Sequence, residues 1–160
     1  MKTITKDELA IKIKLHQKWL NNEEWGERLE LVGYDLSRSN LSRSNLSCSD
    51  LSCSNLSRSD LSGSNLSDSD LRGSDLSRGD LSRSNLSGSD LDYSCLPLWC
   101  GSLGAHFDDR QIIQFVYHAV RAGLDSPNVS EDVKTELRKV AGLANRFHRV
   151  NECGRIEVSE

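Results

Sequence analysis

The chain has 160 residues, 28% of them charged, and a formal net charge of −4. That length suits one domain or a repeat core with caps, and the mild acidity argues against a strong non-specific pull toward nucleic acid. No run of 18 apolar residues and no signal-peptide pattern occurs, so the expectation is a cytoplasmic protein that does not enter a membrane. Five cysteines at irregular spacing fit reduced thiols better than a disulfide framework.

Residues 1–33 predict an N-terminal helical cap. Thr5 and Glu8 have capping-box spacing, and a helix is expected over about residues 6–20. Leu9, Ile13, His16 and Leu20 share one side, Ile11 and Trp19 lie beside them, and Asn21-Asn22 ends the helix. Trp25, Leu29 and Leu31 then lead into a repetitive stretch.

Residues 34–96 organise the whole chain. Leucine recurs every five residues, at Leu36, Leu41, Leu46, Leu51, Leu56, Leu61, Leu66, Leu71, Leu76, Leu81, Leu86, Leu91 and Leu96. The residue two before each is Ser except at Tyr34 and Gly79, and the residue just before is Asp or Asn except at Cys95. A period of five fits no ordinary element. On a helix it turns about 500°, smearing the leucines around the axis; on a flat strand it alternates their faces. The chain must therefore bend once per repeat. Ser and Leu, two apart, point inward; Asp or Asn between them points outward; the next two residues make the bend, which Asp, Asn and Ser favour by bonding nearby backbone. One repeat cannot bury its own leucine, but stacked coils can. An inward Ser needs a partner, and a coil backbone carbonyl is the expected one.

The pattern (S/G)-(D/N)-L-S-x resembles the pentapeptide-repeat family, with Ser where the family often has Ala. The resemblance implies a mainly β protein: a right-handed quadrilateral β-helix of four repeats per coil, here a little over three coils. The flanks HQKWLNNEEWGERLEL, CLPLWCGSLG and RFHRVNECG are similar to those of a group of bacterial and prophage-encoded members. Four repeats per coil imply columns of residues twenty apart, about 4.8 Å from one another. Asn45, Asn65 and Asn85 then form an amide ladder. Asp50, Asp70 and Asp90 form a carboxylate column, expected to bind cations weakly or show raised pKa values. Arg38, Arg58 and Arg78 stack on one corner, with Arg43 and Arg83 on the next. These columns are the candidate interaction faces. Residues 34–95 carry nine Asp against six Arg, a net charge of −3.

Residues 97–160 predict a C-terminal helical cap. Pro97 stops the ladder. A helix runs from Asp108-Asp109 to about Ala122, with Ile112, Ile113, Val116, Tyr117 and Val120 on its apolar side and Gly123 as C-cap. Ser130 caps a second helix with an inner stripe of Val133, Leu137, Val140, Ala144 and Phe147. The pair closes the solenoid, with a homodimer joint as the competing use of the same stripes.

Cys95, Cys100, His106, His118, His148 and Cys153 supply zinc-ligand types, but their spacing matches no zinc signature, so neither metal nor cofactor is expected. Cys48 and Cys53 read as surface thiols. The chain shows no GxSxG, HExxH or phosphate-cradling glycine loop, so no enzyme is expected. The function reading is a non-catalytic structural or protein-interaction module of unknown partner, monomeric or homodimeric, without direct nucleic-acid binding. The resemblance implies an alternative, since some pentapeptide-repeat proteins imitate duplex DNA and bind type II topoisomerases such as gyrase. Surface binding to ice is disfavoured because Thr occurs only at Thr3, Thr5 and Thr135.

Overall fold

The computed structural model describes residues 1–97, 102, 104–147 and 150–157, with the backbone alone at 152 and 153. Two compact units emerge, Met1–Phe107 and Asp108–Glu160.

The first unit opens with β1 (Lys2–Thr3) and α1 (Lys6–Leu20). The capping box forms: the Thr5 hydroxyl accepts the Glu8 N–H at 3.2 Å, and the Glu8 carboxylate accepts the Thr5 N–H at 2.9 Å. Helix α1 buries Leu9 and His16, while Ile11 stays 58% exposed. After α1 the chain turns back through Asn22 and Trp25, both at positive φ. Gly26 allows the return, because a Cβ there would lie 2.3 Å from the Trp19 backbone nitrogen. Strand β1 pairs in parallel with β2 (Tyr34–Asp35), a pairing that the sequence pattern does not announce.

From Glu30 onward, single-residue parallel bridges join positions twenty apart: Glu30 with Asp50, Asn45 with Asn65, Asp70 with Asp90. Most repeats spend their backbone groups the same way. The Leu N–H donates to the Asp or Asn carbonyl of the following coil, as Leu46 does to Asn65 at 2.7 Å. The Asp or Asn N–H donates to the preceding coil, as Asn65 does to Ser44 at 2.9 Å. Within the bend, the inward Ser N–H returns to the leucine carbonyl three before it, as Ser59 does to Leu56 at 3.1 Å. No coil amide needs a long strand to be satisfied. The mainly β expectation is corrected accordingly. The solenoid that pentapeptide repeats imply is present, but 32% of the chain is helix against 12% strand, because each face pairs about one residue before the next bend.

Leucines 36 through 91 of the series are at most 3% exposed and fill the interior; Leu96 is only half-buried. The inward serines donate to coil carbonyls, as Ser54 does to Leu51 at 2.6 Å, Ser64 to Leu61 at 2.6 Å and Ser74 to Leu71 at 2.6 Å. Ser39, Ser44 and Ser49 make no such bond, and the Ser49 hydroxyl is buried without a partner. The ladder does not end at Pro97. His106 bridges Asn85, its carbonyl accepting the Leu86 N–H at 2.9 Å. Twenty-one residues separate this pair, so the intervening segment absorbs one extra residue and the register resumes.

In the second unit, α2 (Asp109–Asp125) starts at a capping box of Asp108 and Gln111. It runs past Gly123, which is therefore not a C-cap. A Cβ on Gly123 would sit 2.4 Å from Leu137 Cδ1, so the glycine serves the crossing of α2 with α3 (Glu131–Lys139). The expected second helix breaks at Val140 and continues as α4 (Ala141–Ala144), with α5 (Val150–Cys153) beyond. The break moves the inner stripe. Val133 and Val140 are 50% and 42% exposed, while Ala141, Ala144 and Phe147 join Tyr117 and Val120 in the core. Ile112 likewise faces solvent, at 45%. The Asn145 side chain bonds both the N–H and the carbonyl of Ile156 at 2.8 Å, and the Tyr117 hydroxyl donates to the Gly154 carbonyl at 2.6 Å.

Candidate functional site

The solenoid surface is built from a repeated local device. Each outward Asp or Asn turns one side-chain oxygen back on its own bend, accepting the N–H two residues on. Asn45 does so for Ser47 at 3.2 Å, Asp60 for Ser62 at 3.0 Å and Asp80 for Ser82 at 2.8 Å. This is the Asx turn that those residue types favour. It locks the side chains of a column in the same pose. The bend's last residue takes φ between 56° and 75° in every described repeat, whether Gly63, Gly73 and Gly88 or Arg38, Arg58 and Arg78. In that left-handed region a side chain costs about 1–2 kcal/mol that glycine avoids.

The Asn45–Asn65–Asn85 column is a hydrogen-bonded amide ladder. Asn65 Nδ2 donates to Asn45 Oδ1 at 3.3 Å and Asn85 Nδ2 to Asn65 Oδ1 at 3.2 Å. The Asp50–Asp70–Asp90 column extends upstream to Glu30, and it alone is acidic throughout among the described columns. The expectation of raised pKa values is corrected at Asp70. Arg72 Nε bonds Asp70 at 2.9 Å and approaches Asp90 at 3.9 Å, and this guanidinium holds the Asp70 carboxyl below its usual value despite partial burial. Arg72 occupies the slot that is Ser in most repeats, and the pattern SDLRG is its signal in the sequence.

Arg38, Arg58 and Arg78 are all exposed and, among the described residues, form no ion pair. With Ser37, Ser57 and Ser77 they line an open groove of about 600 Å³. Guanidinium charges at that pitch repel by about 0.8 kcal/mol per neighbouring pair in water. The adjoining corner alternates Arg43, Gly63, Arg83 and Gly104. A Cβ on Gly63 would lie 3.6 Å from Arg43 Cγ, and one on Gly104 3.5 Å from Arg83 Cγ, ordinary contacts that leave the positive φ of 64° and 73° as the reason glycine suits these bends.

His16, expected as one apolar-side residue of a helix, has a sharper role. It is fully buried. Its Nδ1 accepts the Leu29 N–H at 3.0 Å, which leaves Nε2 to donate to the Ser47 carbonyl at 3.0 Å. Trp19 stacks on it at 5.6 Å. Burial, opposed by the Ser47 bond and aided by Arg28, lowers the His16 pKa from its ordinary value.

The Cys/His residues do not assemble among the described residues. Cys95 is an exposed free thiol, His106 is part of the coil ladder, and His118 packs edge-on against Tyr117 and Phe147 in the other unit. Cys100, His148 and the Cys153 side chain lie outside the described residues. No described group of three His, Cys, Asp or Glu could hold a metal ion, and no described helix is long and apolar enough to cross a membrane. Cys48 is half-buried and Cys53 exposed, both free.

A family model for pentapeptide repeats matches residues 31–63 and 64–97. No curated protein matches the chain. Solved structures similar to it include Rfr23, a pentapeptide repeat protein from the cyanobacterium Cyanothece 51142, at 27% identity over 49% of this chain and 53% of that one, with a TM-score of 0.26. A pentapeptide repeat protein from the Arabidopsis thaliana thylakoid lumen is 24% identical over 71% of this chain and 77% of its own, TM-score 0.33. QnrB1, a plasmid-mediated fluoroquinolone resistance protein, is 20% identical over 56% and 44% of the two chains, TM-score 0.32. The match thus spans about half the length of Rfr23 and less of QnrB1. Residues 31–97 thus form an array of pentapeptide repeats.

Proposed function

We propose that the chain is a non-catalytic interaction module whose rigid columns present repeated polar groups to a protein partner. The observation that carries this is the locking of the outward side chains: an Asx bond orders each Asp and Asn before any partner arrives, so little rotamer freedom is left to lose on binding. Within this proposal residues 1–33 act as an N-terminal helical cap, 34–96 as the binding body and 97–160 as a C-terminal helical cap. The test compares immobilised protein with a variant carrying Asn45→Asp, Asn65→Asp and Asn85→Asp. Aspartate keeps the Asx bond but breaks the amide ladder. A partner bound saturably by the parent and lost by a variant of equal thermal stability supports the proposal. Binding indifferent to every column sinks it.

A second reading, binding of a type II topoisomerase in place of DNA, draws on the continuous acidic column from Glu30 to Asp90. Arg72 and the arginine corners weaken its field. Inhibition of gyrase supercoiling that disappears with Glu30→Gln, Asp50→Asn and Asp90→Asn supports this reading; no inhibition at saturating protein removes it. Light scattering coupled to gel filtration decides between monomer and homodimer.

A further inference from the structure

We infer that the Arg38–Arg58–Arg78 corner is a docking strip for the acidic column Glu30–Asp50–Asp70–Asp90 of a second copy of this chain, an inference that rests on the interaction-module reading and names its partner. Three observations lead there. First, the three arginines are exposed, stacked and without an ion pair among the described residues, although the columns beside them, Asp35–Asn55–Asp75 and Asn40–Asp60–Asp80, both carry carboxylates. Their partner is not supplied by their own solenoid. Second, each holds a left-handed backbone conformation that glycine holds at Gly63, Gly73 and Gly88. Cys48, Cys53, Asp68 and Tyr93 hold the same conformation at other bends, so what sets this corner apart is three like charges kept in register despite their mutual repulsion.

Third, the geometry selects the occupant. The carboxylates of Asp35, Asp75, Asp60 and Asp80 on the two flanks repel a wide polyanion such as duplex nucleic acid, whereas a single row of carboxylates meets the corner alone. Guanidiniums on successive coils repeat at about 4.8 Å. A row matched to that pitch sets one carboxylate beside each arginine, with Arg72 already bonding Asp70 and lying 3.9 Å from Asp90 within the row. The acidic column of this chain has the same pitch by construction, because both columns are set by the same twenty-residue coil. The two columns lie on different faces of one molecule, so the contact is heterologous. Copies joined this way leave one free strip at each end, from which growth continues unless the rotation between copies closes a ring.

Sedimentation velocity on the full chain tests this at about 0.01 M and about 1 M salt, between which the Debye length falls from about 30 Å to about 3 Å. At low salt the expected result is a weight-average mass that keeps rising with concentration, and at high salt a return to the smallest species. The variant with Arg38→Asp, Arg58→Asp and Arg78→Asp is expected to lose the growth; aspartate tolerates the left-handed conformation. The Asn version of the same three changes, which only removes charge, guards against a folding defect and is expected to behave alike. The variant with Glu30→Gln, Asp50→Asn and Asp90→Asn is expected to lose it too. An equimolar mixture of the arginine-corner and acidic-column variants regains one intact contact and is expected to form a 1:1 pair that grows no further. Concentration-independent mass for the parent, growth retained by either variant, or a mixture that does not pair each overturns the inference. So does retention of labelled oligo-dT by the parent but not by the Arg variants, which gives the corner to nucleic acid instead. Growth that survives both variants leaves the module reading intact, since that reading is tested separately on the asparagine ladder.

Discussion

Acidification should weaken the contact between α1 and the first coil through one residue. His16 binds as a neutral ring: Nδ1 accepts from Leu29 N–H and Nε2–H donates to the Ser47 carbonyl. Protonating Nδ1 sets its new proton against the Leu29 N–H, leaving two buried donors without an acceptor. The loss is about 1–3 kcal/mol. The His16 pKa in the folded protein lies below the ordinary 6.5, so below pH 6.5 the unfolded chain binds more protons than the folded one. Stability is then complete above about pH 6.5 and falls as pH drops toward the folded-state pKa, at up to about 1.4 kcal/mol per pH unit. Urea unfolding between about pH 7.5 and about pH 5 measures it. His16→Gln keeps an acceptor and a donor at similar reach, and is expected to unfold like the parent at the higher pH but without the acid-linked loss. A flat parent profile, or an equal loss in His16→Gln, refutes the assignment.

Four further substitutions have defined outcomes. Leu61→Ala removes a fully buried leucine with Leu41 and Leu81 in its own column and should cost about 2–5 kcal/mol in denaturant unfolding. Ser64→Ala should shift stability by less than about 1 kcal/mol, because the Leu61 carbonyl that loses the hydroxyl still accepts the Ser64 N–H at 3.0 Å. Asp70→Asn retains the bond to the Arg72 N–H but loses the ion pair, so thermal unfolding should show a loss of no more than about 1 kcal/mol rather than a gain. The carboxylate's contribution is present above pH 3.8 and disappears as pH falls through its lowered pKa. Gly26→Ala places a methyl against the Trp19 backbone, which has no side-chain rotamer to yield, and should cost about 1–3 kcal/mol or prevent α1 from docking.

The repeat region was legible because its signal is redundant. One leucine per five residues, with a turn-forming residue beside each, leaves a single way to keep every leucine inside, and from Ser54 onward the inward serines found their carbonyls as expected. The α1 boundaries were equally legible, since a capping box is a local device. Reading failed where a neighbour outside the repeat pattern decided. Gly123 looked like a helix end but makes room for Leu137, and Val140 looked inward until the helix broke beneath it. Asp70 looked like one of three repelling carboxylates, yet Arg72, two residues away, settles its charge.

Sequence by itself determined the coil: the period, the leucine interior, the Asx-locked bends and the columns twenty residues apart all come from interactions within a repeat or between identical repeats. Tertiary structure alone decided what is not periodic. It placed His16 between Leu29 and Ser47, paired β1 with β2, and carried the ladder across an extra residue to His106. The physical reason is range. A repeated short-range rule propagates along the chain and can be read from it, whereas a single contact between residues thirty apart has no echo elsewhere in the sequence.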